Sequence, residues 1–416
     1  MSSHEIASKL LVPVLAAFLC RSAPASVTLL SASPGEDSST EMRISWHSDT
    51  PSCKLRYGCG TGPLAYARFE ATSSPVEYTG KTNYYLCRAE LKGLRPGTKY
   101  SYRVDGEADG TVRSFRTAGK GCSFNFLWMG DVHSTPNRHG KMKSVDALLS
   151  DAEEATAKRG GLGFVLFSGD AVKHGQTYSC WKEWDSCRLA ADYMVAAVPG
   201  NKEYYRDEGK TRWHDRWFVN ARNNPCNGAP GLESTYWFVY GGVLFVGLDT
   251  LACEGREMDD AVRKSAQRRQ EDWFEKVVSS QKGRFRFLVV FQHYPFFKKS
   301  GPCDYGRYES WFGLFDRHGV DFALSGDSHS YVRSRQLRGG ADSDEGTVYV
   351  VCPEIDSHME EPAIKRGEGL VAAFDSHSSS YGACWFSVGK DDMTMHYISG
   401  GAEDRDVATV RAKRRR

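Results

Sequence analysis

Metal-capable side chains recur at the ends of short apolar runs between residues 124 and 329. Each run stops at a turn, and the turn carries an aspartate, an asparagine or a histidine. A single Gly-Asp turn or a lone histidine after a strand is commonly structural. Five such turns in order favour a shared function. Their residues of ligand type are Asp131, His133, Asp170, Asn201, His293, Asp327 and His329.

These turns together predict one metal site. Open α/β sheets collect ligands beyond the carboxyl ends of their strands, so turns at those ends would surround a single crevice. Tight strand-to-loop turns need permissive backbone angles, which the accompanying glycines provide. Oxygen and imidazole donors together suit zinc, manganese or iron better than calcium.

The region that follows Ser123 is predicted to have α/β architecture, because strand-like runs alternate there with helical segments. The clearest helical pattern covers about residues 258–280. Its apolar stripe consists of Val262, Trp273, Phe274, Val277 and Val278.

Residues 26–118 predict a separate all-β module. Short alternating runs, such as residues 42–46 and 100–104, are separated by turn-forming residues. This size and spacing are typical of a β-sandwich of the fibronectin type III or immunoglobulin class. Residues 117–121 are the expected linker to the α/β region.

The order of the five motifs resembles that of the calcineurin-like metallophosphoesterases. Here they read Asp-x-His, Gly-Asp, Gly-Asn-x-Glu, Val-x-x-His and Gly-x-x-His. The preceding β-sandwich makes the chain similar to the longer purple acid phosphatases. Further matches lie at Trp181 and at residues 184–185, 248–250, 318–321 and 381–382. The resemblance implies a fibronectin type III-like β-sandwich at residues 26–118, followed by an αββα sandwich metallophosphoesterase domain at residues 122–405.

The resemblance also implies two metal ions bridged by a carboxylate. By motif, the ligands of the first metal would be Asp131, His133, Asp170 and His329. Asp170 would bridge to the second metal, which Asn201, His293 and Asp327 would also bind. Two metals in this arrangement would grip a phosphate ester and generate a hydroxide that attacks phosphorus in line, so no serine or cysteine nucleophile is needed.

A lysine stands where the purple acid phosphatases carry their iron-binding tyrosine. That position, four residues beyond the glycine of the second motif, is Lys173, and a charged ammonium group cannot bind a metal. His133 can replace the lost ligand, as the equivalent histidine does in the wider calcineurin-like group. We therefore expect a centre without the purple charge-transfer band, with iron, zinc or manganese as the candidate ions.

Two further positions depart from the family's pattern. Lys202 replaces a histidine that protonates the leaving group, and a lysine with a pKa of about 10.4 is a poor general acid near neutral pH. Nearby metals would depress that pKa, so Lys202 is a candidate acid or an electrostatic clamp. Asp327 replaces a histidine ligand and favours harder ions such as manganese, magnesium or iron.

Substrate contacts are predicted less directly. Four residues follow ligand motifs and could hold phosphate oxygens: His174, Lys298, Lys299 and Arg307. A solvated loop charge is the alternative for each, and only His174 joins Lys202 as a candidate catalytic residue.

The resemblance and its departures leave three functions open. The leading hypothesis is a secreted binuclear phosphoesterase of the acid phosphatase type that hydrolyses phosphate monoesters. The second is a metal-binding pseudoenzyme that acts as a binding module. The third is a phosphodiesterase of the same superfamily, which the Asp-x-His first motif favours.

The net charge limits the expected binding partners of the protein, and the N-terminal sequence predicts its cellular compartment. A net charge of +2 gives no general argument for nucleic acid binding. Lys9, the apolar run 10–20 and the small residues at 23–25 predict a signal peptide over residues 1–25. The run is too short for a permanent transmembrane helix. We expect entry into the secretory pathway, ending outside the cell or in an acidic endomembrane compartment.

Cysteine content agrees with export. Twelve cysteines favour an oxidising compartment and several disulfides, and removing Cys20 with the signal peptide leaves an odd number. One thiol would then be free or pair with another chain, which allows a disulfide-linked or non-covalent homodimer. Cys180 and Cys187 are close enough for a local bridge. Residues 406–416 are predicted to form a basic tail, and its last six residues, 411–416, are expected to be a solvated terminus.

Overall fold

A computed structural model describes most of the chain. The described ranges are 26–51, 54–67, 72–78, 81–106, 111–121, 123–136, 140–204, 223, 234–250, 259–303, 309–355, 363–375 and 381–413. The predicted signal peptide and Arg307 lie outside the described residues, as do residues 414–416.

The N-terminal module is a β-sandwich, as predicted. Its strands are β1 (Val27–Pro34), β2 (Met42–Ser48), β3 (Leu55–Cys59), β4 (Ala65–Tyr66), β5 (Thr72–Tyr78), β6 (Lys81–Leu91), β7 (Lys99–Val104) and β8 (Arg113–Arg116). They form two four-stranded antiparallel sheets in the orders β1-β2-β6-β5 and β4-β3-β7-β8. Alternate side chains such as Trp46 and Tyr102 are fully buried, which is how a two-layer sandwich fills its core.

The C-terminal region alternates strands and helices around two further sheets. Its strands are β9 (Phe124–Met129), β10 (Leu162–Phe167), β11 (Val195–Ala197), β12 (Tyr236–Tyr240), β13 (Val243–Gly247), β14 (Phe287–Phe291), β15 (Phe297–Lys298), β16 (Gly301–Pro302), β17 (Phe322–Ser325), β18 (Val332–Arg338), β19 (Ala341–Asp342), β20 (Thr347–Val351), β21 (Ile364–Arg366), β22 (Val371–Asp375), β23 (Ala383–Val388), β24 (Asp392–Ile398) and β25 (Asp404–Arg411). Its helices are α1 (Gly140–Thr156), α2 (Tyr178–Trp184), α3 (Leu189–Asp192), α4 (Asn201–Tyr204), α5 (Asp260–Ser280) and α6 (Glu309–His318).

The two sheets stack face to face and carry helices on their outer faces. One has the order β11-β10-β9-β23-β24-β25, and the other runs β12-β13-β14-β17-β20-β18-β22-β21, with β19 paired to β18. Phe126 of the first sheet meets Phe245 of the second edge to face, with ring centroids 5.3 Å apart. Separate apolar clusters join α1 to the first sheet and α5 and α6 to the second. The αββα prediction is therefore confirmed.

Helix α5 matches the strongest helical pattern of the sequence. Asp259 caps its first turn, because the side chain accepts the backbone N–H groups of Ala261 and Val262. Trp273 and Phe274 are buried as predicted, but Val262 is 52% exposed. Val262 keeps the spacing of the buried stripe and lies in the first turn, outside the apolar cluster that covers the later turns.

The β-sandwich is fastened to the α/β region through Asp185. Its carboxylate accepts the backbone N–H of Leu29 at 3.1 Å and lies 3.6 Å from the guanidinium of Arg113. Thr28 and Tyr178 share a further hydroxyl contact at 2.8 Å. Asp185 follows α2 directly, so the N-terminal module contacts the segment that comes after the second predicted ligand turn.

Residues 406–411 are not a free tail. They belong to strand β25, which pairs antiparallel with β24 and buries Val410, so the predicted tail is wrong for this segment. Asp406 also binds the guanidinium of Arg333 at 2.6 and 2.9 Å. Beyond the strand, the ammonium group of Lys413 lies 3.2 Å from the buried carboxylate of Asp321. The strand itself carries two arginines and two aspartates, and the strongly basic residues 411–416 drew attention away from its alternating pattern.

The local bridge that the spacing of Cys180 and Cys187 would allow is not formed. Both residues are buried free thiols, as are Cys87, Cys352 and Cys384. Cys187 follows α2, and its thiol donates to the backbone oxygen of Trp184 at 3.1 Å. Buried cysteines of this kind pack as small apolar residues. Of the described residues, no helix is long and apolar enough to cross a membrane.

A chain that ends at residue 403 tests the role of β25. Its loss would leave the part-buried guanidinium of Arg333 without Asp406, which alone costs about 1.5 to 3 kcal/mol for hydrogen bonds between charged groups, and would expose the edge of β24. We expect the free energy of unfolding, measured by urea titration, to fall by at least that amount. A chain ending at residue 413 is the control and should unfold like the full-length protein. Equal stability of the two truncated chains would contradict the assignment.

Candidate metal centre

The five predicted turns meet at one edge of the two sheets. Strands β9, β10 and β11 are parallel neighbours in one sheet, and β14 and β17 are parallel neighbours in the other. Their carboxyl ends therefore lie together. The turns bind one another directly: Asp131 donates its N–H to the Gly169 oxygen at 3.0 Å, and Gly326 donates to the His293 oxygen at 2.8 Å. The imidazole Nδ1 of His293 lies 2.8 Å from the Ser168 oxygen and so joins the two sheets.

The backbone is left-handed at five of the predicted ligands. The φ angles are 54° at Asp131, 52° at His133, 55° at Asp170, 64° at Asp327 and 54° at His329. Among the described residues, Leu29 is the one other non-glycine residue with positive φ. Such angles cost about 1 to 3 kcal/mol each and persist where the surrounding structure enforces them, commonly at functional sites.

A first group of donors consists of Asp131, His133 and His329, whose ligand atoms lie within 4.8 Å of one another. The Nε2 atom of His329 is 3.6 Å from an oxygen of Asp131. The two imidazole rings stand edge to face with centroids 5.0 Å apart. Asp131 and His133 are buried, whereas the His329 side chain is 39% exposed, so this group opens towards solvent.

A second group consists of Asp131, Asp170 and His293, again within 4.8 Å. The Nε2 atom of His293 lies 3.5 Å from Oδ1 of Asp170 and 4.0 Å from Oδ1 of Asp327. The other oxygen of Asp170 lies 2.9 Å from Nε2 of His133. The carboxylate of Asp170 thus faces one histidine of each group, which fits the predicted bridging position.

Two predicted ligand atoms of the second metal have no hydrogen-bond partner although they are buried. They are the amide oxygen of Asn201 and Nε2 of His293. Buried polar atoms without partners are rare in folded proteins, and a metal ligand is one recognised explanation. His293 also presents a lone pair at Nε2 when it is neutral, because its Nδ1–H faces the acceptor oxygen of Ser168. The residues present therefore fit divalent cations.

The site's electrostatics favour positive charge. Burial alone would lower the pKa of His293, but the carboxylates of Asp170, Asp131 and Asp327 raise it to about 9. Burial likewise opposes the charge of His133, and its hydrogen bonds with Asp170 and Glu354 raise the pKa to about 9. Burial raises the pKa of Asp131, although His293 opposes this effect.

Glu203, the last residue of the Gly-Asn-x-Glu motif, organises the backbone beneath the site. This fully buried carboxylate accepts the N–H groups of Asp170 at 2.9 Å, Gly200 at 2.6 Å and Val172 at 3.3 Å. Gly200 is required for the approach, because a Cβ atom at this position would overlap the Asp170 carboxylate. Glu203 therefore locks the second and third turns together.

The predicted catalytic residues flank this arrangement. The backbone N–H of Lys202 donates to Oδ1 of Asp170 at 2.8 Å, and its side chain is half-buried. His174 is also half-buried and precedes Gly175, whose N–H donates to the Lys202 oxygen at 3.0 Å. The ammonium group of Lys299 lies 4.2 Å from the ring centroid of Phe374. Lys298 lies in β15.

Sequence reasoning missed Glu354. Its carboxylate lies 3.2 Å from Nδ1 of His133 and 3.1 Å from Nδ1 of His329. It also accepts a hydrogen bond of 2.7 Å from the ammonium group of Lys141. Burial alone would raise the pKa of Glu354. Its hydrogen bonds with His133, His329 and Lys141, together with the positive charge of Lys141, hold that pKa below its usual range. A signal was present, since Glu354 follows β20 as the other site residues follow their strands.

Comparisons with known proteins agree with the fold and the motifs. Residues 124–331 match the family described as calcineurin-like phosphoesterase, and residues 28–117 match the purple acid phosphatase N-terminal domain. An uncharacterised protein of Mycobacterium tuberculosis is 26% identical over 340 residues, which are 75% of this chain and 63% of that protein. The chain therefore spans less than two thirds of that relative's length.

Two solved structures share the fold. A purple acid phosphatase from yellow lupin (Lupinus luteus) seeds has a TM-score of 0.69 and 14% identity, covering 93% of this chain and 74% of its own. PhoD has a TM-score of 0.59 and 13% identity, covering 92% of this chain and 88% of its own. At these identities the likeness concerns the fold alone.

Metal affinity should increase with pH. Because His133 and His293 have pKa values of about 9 in the metal-free protein, both carry a proton at neutral pH that a metal must displace. We expect the affinity for Zn²⁺ to rise from about pH 6 to about pH 9, by about tenfold per pH unit for each proton released. Calorimetry in two buffers of different ionisation enthalpy measures those protons.

The control for this measurement is His396→Gln, which removes a titratable imidazole bound to Asp404, away from the metal centre. It should leave proton release unchanged, whereas His293→Ala should reduce it. An affinity that is independent of pH would show that the ligand imidazoles are already neutral before metal binds.

Proposed function

The chain belongs to the calcineurin-like phosphoesterases, and on that basis we propose that it is a secreted, binuclear, metal-dependent phosphoesterase that hydrolyses phosphate monoesters. The observation that carries the proposal is the convergence of Asp131, Asp170 and His293 with the first donor group at the carboxyl ends of five strands. The buried, unpartnered oxygen of Asn201 supports a second cation in the same crevice.

The proposed first metal position uses Asp131, His133, Asp170 and His329, and the second uses Asp170, Asn201, His293 and Asp327. Asp170 is assigned as the bridge because its two oxygens face His133 and His293 separately. Bound cations would polarise the phosphoryl oxygens and acidify a water molecule, which is the chemistry that family members require of them.

Charge supports a phosphate ester as substrate. The proposed ligands include three carboxylates, Asp131, Asp170 and Asp327, and no tyrosinate. Two divalent ions would therefore leave the centre with a net positive charge, which attracts a phosphate dianion. The same count favours divalent zinc, manganese or iron over a ferric ion, since a ferric centre is stabilised by additional anionic ligands.

The backbone and the side chain of Lys202 have separate roles in the proposal. Its backbone N–H holds the bridging carboxylate of Asp170, whichever side chain is present. Its half-buried ammonium group is assigned either to proton donation to the leaving group or to binding of a phosphate oxygen. His174 is assigned to substrate binding because its loop contacts the Lys202 backbone.

The proposal also includes export of the protein through the secretory pathway. The apolar run that begins after Lys9 supports a cleaved signal peptide over residues 1–25, and the cysteine-rich composition suits an oxidising compartment. The seven described cysteines are free, so the proposed disulfides would involve the remaining cysteines or a second chain.

Hydrolysis is tested with an aryl phosphate on protein loaded with zinc, manganese or iron. We expect about two metals per chain, and turnover that Asp170→Ala lowers by more than about a thousandfold, since the variant removes the bridge. Asp272→Ala, which removes an exposed aspartate from α5, is the matched control and should retain turnover. Two bound metals without turnover on monoesters or diesters would leave a metal-binding pseudoenzyme.

Lys202→His separates an adapted enzyme from an impaired one. The backbone contact to Asp170 survives the change, so only the side chain's role is altered. If the ammonium group serves turnover, as proposed, kcat for an alkyl phosphate should fall by about tenfold or more, because a poor leaving group depends most on the acid. A rise in kcat would instead identify Lys202 as a residue that impairs catalysis.

A further inference from the structure

The carboxylate of Glu354 occupies the space behind both histidines of the first donor group. One oxygen lies 3.2 Å from Nδ1 of His133 and 2.7 Å from the ammonium of Lys141. The other oxygen lies 3.1 Å from Nδ1 of His329. A single side chain thus contacts two imidazoles that belong to turns almost 200 residues apart.

These contacts determine which nitrogen each histidine turns towards the site. A carboxylate only accepts hydrogen bonds, so both Nδ1 atoms must donate to it. The lone pair of each neutral ring is then at Nε2. Nε2 of His133 lies 2.9 Å from Asp170, and Nε2 of His329 lies 3.6 Å from Asp131, so both point at the donor group. Partners of this kind fix the orientation of a ligand histidine and strengthen it as a donor.

Lys141 lets Glu354 do this without adding net charge. Its side chain is 1% exposed and lies in the first turn of α1, where its ammonium group pairs with the carboxylate. A buried carboxylate without such a partner would add a negative charge next to Asp131 and Asp170. With the pair in place, the first metal position keeps two carboxylates and two neutral imidazoles, a set suited to a divalent ion.

We propose that Glu354 is the positioning residue of the first metal position: it aligns His133 and His329 together and so sets the affinity and occupancy of that position. The inference rests on the proposed function, since it takes those two histidines as ligands. It adds a specific expectation, because a defect in Glu354 should affect one metal and spare the other.

The test compares metal content and affinity in Glu354→Ala, Glu354→Gln and the unchanged protein, all full length. Each is equilibrated with chelator-buffered Zn²⁺ and separated from free metal. The unchanged protein should retain about two ions. Glu354→Ala should bind the first ion about 10- to 100-fold more weakly and retain about one ion where the unchanged protein is saturated. Glu354→Gln should be intermediate, because an amide oxygen can accept from one imidazole while its amino group repels the other.

Two controls identify the position and exclude a general loss of structure. Glu345→Gln makes the same change at an exposed carboxylate that pairs with Arg338, and it should bind metal normally. His293→Ala should weaken the second ion, and the double variant with Glu354→Ala should lose both. Thermal unfolding of the metal-free proteins reports the fold; if Glu354→Ala does not fold, the affinity of Glu354→Gln decides.

The outcomes separate this inference from the proposed function. Two ions bound to Glu354→Ala with unchanged affinity would overturn the positioning role and leave the phosphoesterase proposal intact. Failure of the unchanged protein to bind Zn²⁺, Mn²⁺ or Fe²⁺ would overturn both. Equal weakening of both ions in Glu354→Gln would also contradict the inference, because the effect would not be confined to one position.

Discussion

The repulsion between two buried carboxylates is the constraint on which the centre depends. Asp131 and Asp170 are both almost inaccessible to solvent and lie in one group of donor atoms. Such a pair is costly unless positive charge and hydrogen-bond donors surround it. Histidines from two sheets supply the charge, and backbone N–H groups of Lys202 and Asp327 supply the donors. The turns are shaped to bring these groups to the carboxylates.

The rest of the fold holds those turns in place. Glu203 fastens the second turn to the third, and the contact between His293 and the Ser168 oxygen joins the edges of the two sheets. The N-terminal module binds the carboxylate of Asp185, which follows the second turn along the chain. At the other end of the chain, Asp406 pairs with Arg333, four residues after His329. Distant parts of the chain therefore bear on the same small group of ligands.

Features carried by local patterns could be predicted from the sequence. The strand-end turns, the sandwich and helix α5 each follow from a short run of residues, and the structure contains all three. The contact of Glu354 with Lys141 spans 213 residues, so no local spacing reveals it. Strand β25 was missed because the strongly basic residues 411–416 begin at its last residue, although Ala408 and Val410 alternate with exposed neighbours. Cys180 and Cys187 are near in sequence, but both are free, buried thiols.

The left-handed backbone of the ligand turns limits how such a centre can diverge. Aspartate, asparagine and histidine tolerate these angles better than other non-glycine residues, while β-branched residues are strongly disfavoured. Exchanges within that small set, such as between aspartate and histidine at position 327, need no rebuilding of the turn. At these five ligand positions the backbone therefore restricts the choice to a small set of residue types. Substitutions within this set can change the metal preference of the centre during evolution. A residue outside the set would disturb the turn before it altered the chemistry.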